Sequence, residues 1–473
     1  MPQYVDIANV ISDRIQKGFY RPGEKLPSMR EICTSFSVSL GTAQNSYHFL
    51  EENGLVIPIE KTGYFVRQGQ LASGHLPSVQ PVTQEPVDIK NWHSILELAA
   101  SSPSDGVLQL GRGMPDVDSS SLKPLLKALS QTGRSTDKRA LYYDDISGMK
   151  KLREQISRML IDSGCDIAAE ELIITSGCQE ALSIAIRAVC EPGDIVAIES
   201  PAFHGAIQIL QACGVRVLEV PTDPITGISI ESLEMILEQW SVKLIQVTPN
   251  CNNPLGFIMP EERKRELLNL AKKYNVMILE DDIYGDLSYR YPRPLTIKSM
   301  DMDGRVLLCG SFSKTIAPGL RIGWIAPARF FDRVLYMKYT GTGSTSSAAQ
   351  IAVASFIEDG HYLLHLRKMR AMYHRNLQQT VEWIGESFPT GIRMSQPQGG
   401  YILWVEFPKN FNANAFNKSL LQRKIQVVSG SIFSSSERHG HCIRINFGHK
   451  LALLKNGIRT MGELLKNESF YGS

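Results

Sequence analysis

Along the first 67 residues the apolar positions change period three times. Ile7, Val10, Ile11 and Ile15 share one side of a helix that Gly18 closes. In LPSMREI, Ser28 can cap a second helix while Glu31, three residues on, reaches back to complete a capping box, leaving Ile32 and Phe36 to be buried. SVSLGTAQNSYHFLEENGL predicts a third helix, capped by Ser39 and stopped at Asn53-Gly54, with Leu40, Ala43, Tyr47 and Leu50 on its inner face. VIPIEKTGYFV then alternates about a Gly-containing turn, as a β-hairpin does.

Periodicity stops at QGQLASGHLPSVQPVTQEPVDIK, where Pro, Gly, Ser and Gln interrupt it. This stretch predicts a linker able to span a few tens of Å if extended. Beyond it, strand-like apolar runs alternate with amphipathic helices, the pattern of an α/β domain. The expected division is therefore 1–68, a linker at 69–90, and 91–473.

Composition narrows the classes. The chain has 473 residues, 43% of them hydrophobic and 21% charged, with a net charge of +2. Its length asks for more than one core, and its charge supplies no global field toward nucleic acid or membrane, so either partner must be met by a local patch. The eight cysteines are scattered without a C-x-x-C pair, which suggests neither a disulfide framework nor a zinc site. No apolar h-region opens the chain and no run reaches membrane-spanning length, so a reducing cytoplasm is expected.

Three helices and a hairpin make a winged helix-turn-helix, although a small helical packing module has the same periodicity. Polar placement adds to the picture. Ser39, Thr42 and Gln44 cluster at the start of the third helix, where phosphates and base edges are met, with Arg30 and Lys61 on either side. The motifs KLPSMREI, SVSLGTA, LEENGLV and TGYFV, with Pro22-Gly23, resemble the GntR family of bacterial transcription regulators. The resemblance implies that Arg30, Ser39, Thr42, Gln44 and Lys61 face double-stranded promoter DNA. Leu40 and Gln44 stand where that family usually has arginines. Seven Lys and Arg against seven Asp and Glu in the first 70 residues predict weaker and less salt-sensitive binding by one copy, which dimerisation would compensate.

Five later runs carry candidate chemistry. In IITSGCQEAL an apolar run turns into a helix whose first N–H groups, at Gly177, Cys178 and Gln179, suit an anion. ESPAFHG places Phe203 after a proline turn, VTPNCNNPLGFIMP ends an apolar run in Asn253, and VMILEDDIYGDL ends a buried strand in Asp281, with Tyr284 beyond. SFSKTIAPGLRIGW sets Lys314 among Ser311, Ser313 and Arg321. Singly, these are also a plain connection, a core aromatic, a turn asparagine, a solvated acid and a solvated lysine. Together they match a pyridoxal 5'-phosphate site. Lys314 would form the Schiff base and Asp281 would face the pyridine nitrogen. Asn253 and Tyr284 would donate to the phenolic oxygen, while Ser311, Ser313, Arg321 and the Gly177 turn would hold the phosphate.

From about residue 91 onward the chain resembles the fold-type-I aminotransferases, whose domain is a three-layer α/β/α sandwich with a smaller C-terminal subdomain. The resemblance implies that Phe203 stacks on the cofactor ring, that Tyr143 in LYYDDISGMKKLREQI reaches the partner subunit's phosphate, and that Arg444 in CIRINFGH binds a substrate carboxylate. A GntR-type reader joined to such a domain is the architecture of the MocR regulators. That architecture implies a homodimeric transcription regulator sensing pyridoxal phosphate, an amino compound, or both. The alternative is a metabolic aminotransferase carrying an accessory reader. His361 and His365, four apart on an expected helix, lack an evident third ligand, so no metal site is assigned, and His204 beside Phe203 is a candidate substrate contact.

Overall fold

The computed structural model describes residues 3–16, 20, 24–59, 62–66, 76–82, 85–88, 106–134, 138–290 and 292–472. The first unit is three helices, α1 (Gln3–Gln16), α2 (Met29–Phe36) and α3 (Leu40–Glu52), followed by a hairpin of β1 (Val56–Ile59) and β2 (Gly63–Val66). Ser28 and Glu31 form the capping box that their spacing predicts, and Ser39 caps α3 through the Thr42 N–H. Ile7, Ile11, Ile32, Ala43, Tyr47, Leu50, Val56 and Val66 make its core. Tyr47 stacks on Tyr64 at 4.5 Å and donates its hydroxyl to the Pro27 carbonyl, which fastens α3 to the wing.

One sequence expectation fails here. Leu40 does not share the inner face of α3 but stands 58% exposed. It is the first helical residue, and helical side chains lean toward the N-terminus, so Leu40 projects past the end of the core that Ala43 and Tyr47 fill.

The second unit is built on eight strands. In spatial order these are Ile173–Thr175, Gly323–Ala326, Val306–Ser311, Met277–Asp281, Val242–Val247, Ile195–Ser200, Arg216–Asp223 and Gly227–Ile228. The five from Val306–Ser311 to Arg216–Asp223 run parallel; Gly323–Ala326 and Gly227–Ile228 run against them, and Ile173–Thr175, antiparallel to Gly323–Ala326, shares their direction. Successive residues feed opposite faces: Val196, Leu244 and Leu279 enter one apolar cluster, while Ala197, Ile245 and Ile278 enter another. Burial on both faces explains why these strands read as continuous apolar runs. A smaller antiparallel sheet pairs Ile402–Glu406 with Cys442–Asn446, placing Trp404 opposite Arg444.

Part of the expected linker is tied to this second unit. Ser78 bonds Glu406, Arg438 donates to the Pro81 carbonyl, and Val87 exchanges backbone hydrogen bonds with Val217 at 2.9 and 3.0 Å. A spacer rich in Pro and Ser is therefore held at Ser78, Pro81 and Val87 by groups far away in sequence. Among the described residues no helix is long and apolar enough to cross a membrane.

Candidate functional site

Parallel strands deliver their C-terminal ends to one edge of the sheet, where open α/β folds place ligands. Asp281 ends one strand, Ser313 and Lys314 follow a second, Phe203 a third and Thr248 a fourth. Around them lies a cavity of about 130 Å³, walled also by Asn253, Tyr284 and Arg321, with Cys178 and Gln179 from the helix Cys178–Val189.

The Lys314 amine donates to the Gly113 carbonyl at 2.7 Å, and the Tyr401 hydroxyl donates to the same oxygen at 3.3 Å. Burial and then the charge of Arg444 push the amine down to about 8, against the pull of Asp281. Asp281 is raised to about 6 by burial, a rise limited by the Cys178 thiol at 3.4 Å and the Ile283 N–H at 3.3 Å. Tyr284 presents a buried hydroxyl with no hydrogen-bond partner among the described residues. Burial also lifts Glu199 to about 8, while the Thr248 N–H and the Asn252 amide, both at 3.0 Å, fix it behind the asparagine turn.

At the other end, Gly177 has φ +85° and ψ 171°, a conformation open essentially to glycine alone. A Cβ there would lie 2.6 Å from the Arg321 guanidinium. Arg321 is itself left-handed at φ +52° and donates to the Ser176 carbonyl at 2.8 Å, so both backbones are bent to bring guanidinium and turn together. Ser313 lines the cavity but Ser311 does not. Ser311 sits behind it, its hydroxyl 2.9 Å from both the Ser313 hydroxyl and the Ile322 carbonyl.

Arg444, 2% exposed, donates to Asn253 Oδ1 at 3.0 Å and to the Gly111 carbonyl at 2.6 Å, and lies 4.9 Å from the Phe433 ring centre. Its Nε has no partner, and among the described residues no carboxylate forms an ion pair with it. A buried cation held only by neutral oxygens retains most of its attraction for an anion. His204 packs edge-on against Phe203 and Phe433, with Nδ1 buried and unpartnered.

Tyr143 is not brought to this cavity; it stands 96% exposed beside a separate open groove. His365 is buried, bonded to Ser121 Oγ and to the carbonyl of Thr315, the residue after Lys314, each at 2.8 Å. Thr248, Gly113 and Tyr401 were not singled out from the sequence. A threonine closing the VTPNCNN strand and the glycines of LGRGMPD were the available signals.

In the first unit, Arg30 and Gln44 are exposed on α2 and α3. Ser39 and Thr42 share a hydrogen bond between hydroxyls at 2.9 Å. Lys61 lies outside the described residues.

The cavity, its strand ends and the separate helical reader define a class. Residues 105–461 match the family of class I and II aminotransferases, residues 3–66 match the gntR family of bacterial regulatory proteins, and the chain belongs to the regulators that join the two. It is similar to YjiR of Escherichia coli K12, an uncharacterized HTH-type transcriptional regulator, with 46% identity over 98% of both chains. A second such regulator of that organism, YdcR, is 31% identical over 94% of this chain and 95% of its own. Among solved structures, kynurenine aminotransferase of Pyrococcus horikoshii, in complex with PMP, superposes with a TM-score of 0.72 and 27% identity over 79% of this chain and 93% of its own. By family this chain is an HTH-type transcriptional regulator with an aminotransferase-like domain.

Proposed function

We propose that the aminotransferase-like domain binds pyridoxal 5'-phosphate and an amino compound bearing a carboxylate, and that this binding sets how the reader engages promoter DNA. The observation carrying this reading is the meeting of Lys314, Asp281 and the Gly177–Arg321 cradle around one cavity. PMP, the amine form of the same cofactor, occupies the aminotransferase of similar fold.

The residues present fit the cofactor. The Tyr284 hydroxyl lacks a partner, and the cradle leaves no room for a side chain at position 177. Lys314 would be the covalent attachment point, its lowered pKa leaving a sizeable neutral fraction near neutral pH. Asp281 would meet the pyridine nitrogen and hold its proton. Asn253 and Tyr284 would bond the phenolic oxygen, and Phe203 would cover the ring. Ser313, Arg321 and the N–H groups at Gly177, Cys178 and Gln179 would hold the phosphate, with Ser311 keeping Ser313 in place. Bound there, the cofactor supplies an electrophilic carbon for amines and a sink for electrons. Arg444 would take the carboxylate of the incoming compound.

A regulator uses such a cavity when occupancy changes the balance between two shapes, a coupling that is typically about 1–3 kcal/mol. The proposed assembly is a homodimer in which the exposed Tyr143 reaches the partner's phosphate site. The proposed division is reader 1–68, connection 69–90 and effector domain 91–473, with Arg30, Ser39, Thr42, Gln44 and Lys61 on the DNA. Complete cavity chemistry also favours a second reading, slow transamination by the isolated protein.

The test is titration of the full-length protein with pyridoxal phosphate, followed by absorbance, together with a promoter gel shift with and without a panel of amino acids and amines. Borohydride trapping should place the adduct on Lys314, and one class of compound should change the shift. Fast multiple turnover with no promoter binding would replace the regulator with the enzyme.

A further inference from the structure

The reading edge of α3 is neutral. From Ser39 to Ser46 the sequence is SLGTAQNS, with no charge in the first two turns. Ala43 and Ser46 point into the core, which leaves Leu40, Gly41, Gln44 and Asn45 exposed together at the N-terminal end. A recognition helix enters the major groove by that end. Leucine is costly to leave in water and offers no hydrogen bond, so its complement in the groove is apolar. Only thymine provides one, its C5-methyl group. Gln44 and Asn45 carry amides, whose paired donor and acceptor match N7 and N6 of adenine. Guanine presents two acceptors, best met by a cation, and this edge has none. Gly41, with no neighbour other than Ser39 Oγ at 3.9 Å near its absent Cβ, lets the backbone approach closely.

We infer that α3 selects A·T pairs, with Leu40 on a thymine methyl and Gln44, flanked by Asn45, on an adenine edge. Leu40 and Gln44 are four residues apart, about 6 Å along the helix at roughly 1.5 Å per residue. With about 3.4 Å per base step, that rise places the thymine and the adenine no more than about two steps apart in each half-site, whatever the tilt of the helix in the groove. This rests on DNA binding by the reader and adds which bases it chooses.

The test uses the full-length protein and selection from randomised duplexes, followed by single-atom changes in the selected site. Replacing thymine by uracil removes only the methyl. Made at that thymine in one half-site only, it should weaken binding about four-fold, the value of one methyl taken out of water. Leu40→Ala should bind the thymine and uracil duplexes equally, and since Leu40 is exposed, that variant keeps its fold. Leu40→Arg should move the preference at that position to guanine. 7-Deazaadenine at the selected adenine within two steps of that thymine should weaken wild type more than Gln44→Ala. Binding to duplexes with guanine or cytosine at both positions, or indifference to uracil everywhere, overturns the inference while leaving DNA binding intact. Failure to bind any duplex overturns the reader itself.

Discussion

Ser78 gives both its backbone N–H and its hydroxyl to the carboxylate of Glu406, each at 2.6 Å. Glu406 ends the strand Ile402–Glu406, whose neighbour Cys442–Asn446 carries Arg444. The connection from the reader is thus moored to the same strand pair that holds the guanidinium of the cavity. Glu406→Ala removes both acceptors. Hydrogen bonds to charged groups contribute about 1.5–3 kcal/mol, so proteolytic cleavage within 76–82 should speed up by about ten-fold or more, read by mass spectrometry of timed digests. Cofactor absorbance should stay unchanged.

The same mooring has a pH dependence with a fixed sign. Burial alone would raise the Glu406 carboxyl, but His441 and the two Ser78 donors outweigh it and hold it below the ordinary range. A depressed folded pKa gives stability that is present above the unfolded value and lost as pH falls through the folded one. Cleavage at 76–82 should therefore be slow at neutral pH and quicken only on the acid side of the ordinary carboxylate range.

Lys314→Ala should abolish covalent attachment of pyridoxal phosphate while leaving DNA binding by the cofactor-free protein intact. In wild type only the neutral amine attacks, and its pKa of about 8 places the change within easy reach. The attachment rate at fixed cofactor should fall about ten-fold per pH unit below that value and level off above it, by stopped-flow absorbance.

Arg444→Ala separates compounds by their chemistry. It removes the cation that neutral oxygens alone now hold, so carboxylate-bearing ligands should weaken about 10- to 100-fold and simple amines much less. Calorimetry on the cofactor-loaded protein reads the difference.

Gly177→Ala tests the cradle. Its backbone conformation costs a non-glycine residue on the order of 1–3 kcal/mol, and the new Cβ would strike the Arg321 guanidinium. Cofactor affinity should drop by about ten-fold or more, measured by fluorescence titration, with only a modest fall in thermal midpoint.

Local chemistry was readable where neighbours in sequence are neighbours in space. The Ser28–Glu31 box, the Ser39 cap and the hairpin about Gly63 depend on separations of a few residues, and they formed as expected. The cavity residues were legible for another reason: each sits where a buried apolar run ends, and parallel strands collect such ends at one edge. Leu40 misled because period alone does not say where a core stops. Ser311 and Ser313 look equivalent in SFSK, yet the strand ends at Ser311 and the chain turns just beyond it, which puts Ser313 in the wall and leaves Ser311 behind it. His365 offered no sign that its ring joins Ser121 to the residue after Lys314, because both partners are distant in sequence.

The amino-acid order by itself determined the two kinds of unit, their helix caps, the alternation of strand and helix, and the residue types offered to a cofactor and to DNA. Tertiary structure alone decided that Gly113 receives the Lys314 amine, that neutral oxygens hold Arg444, and that Glu406 moors Ser78. Caps and periods are set by backbone geometry over a turn or two, which sequence encodes directly. These three contacts span roughly 190 to 330 positions, and the chain chooses such partners only through the close packing of the whole folded interior.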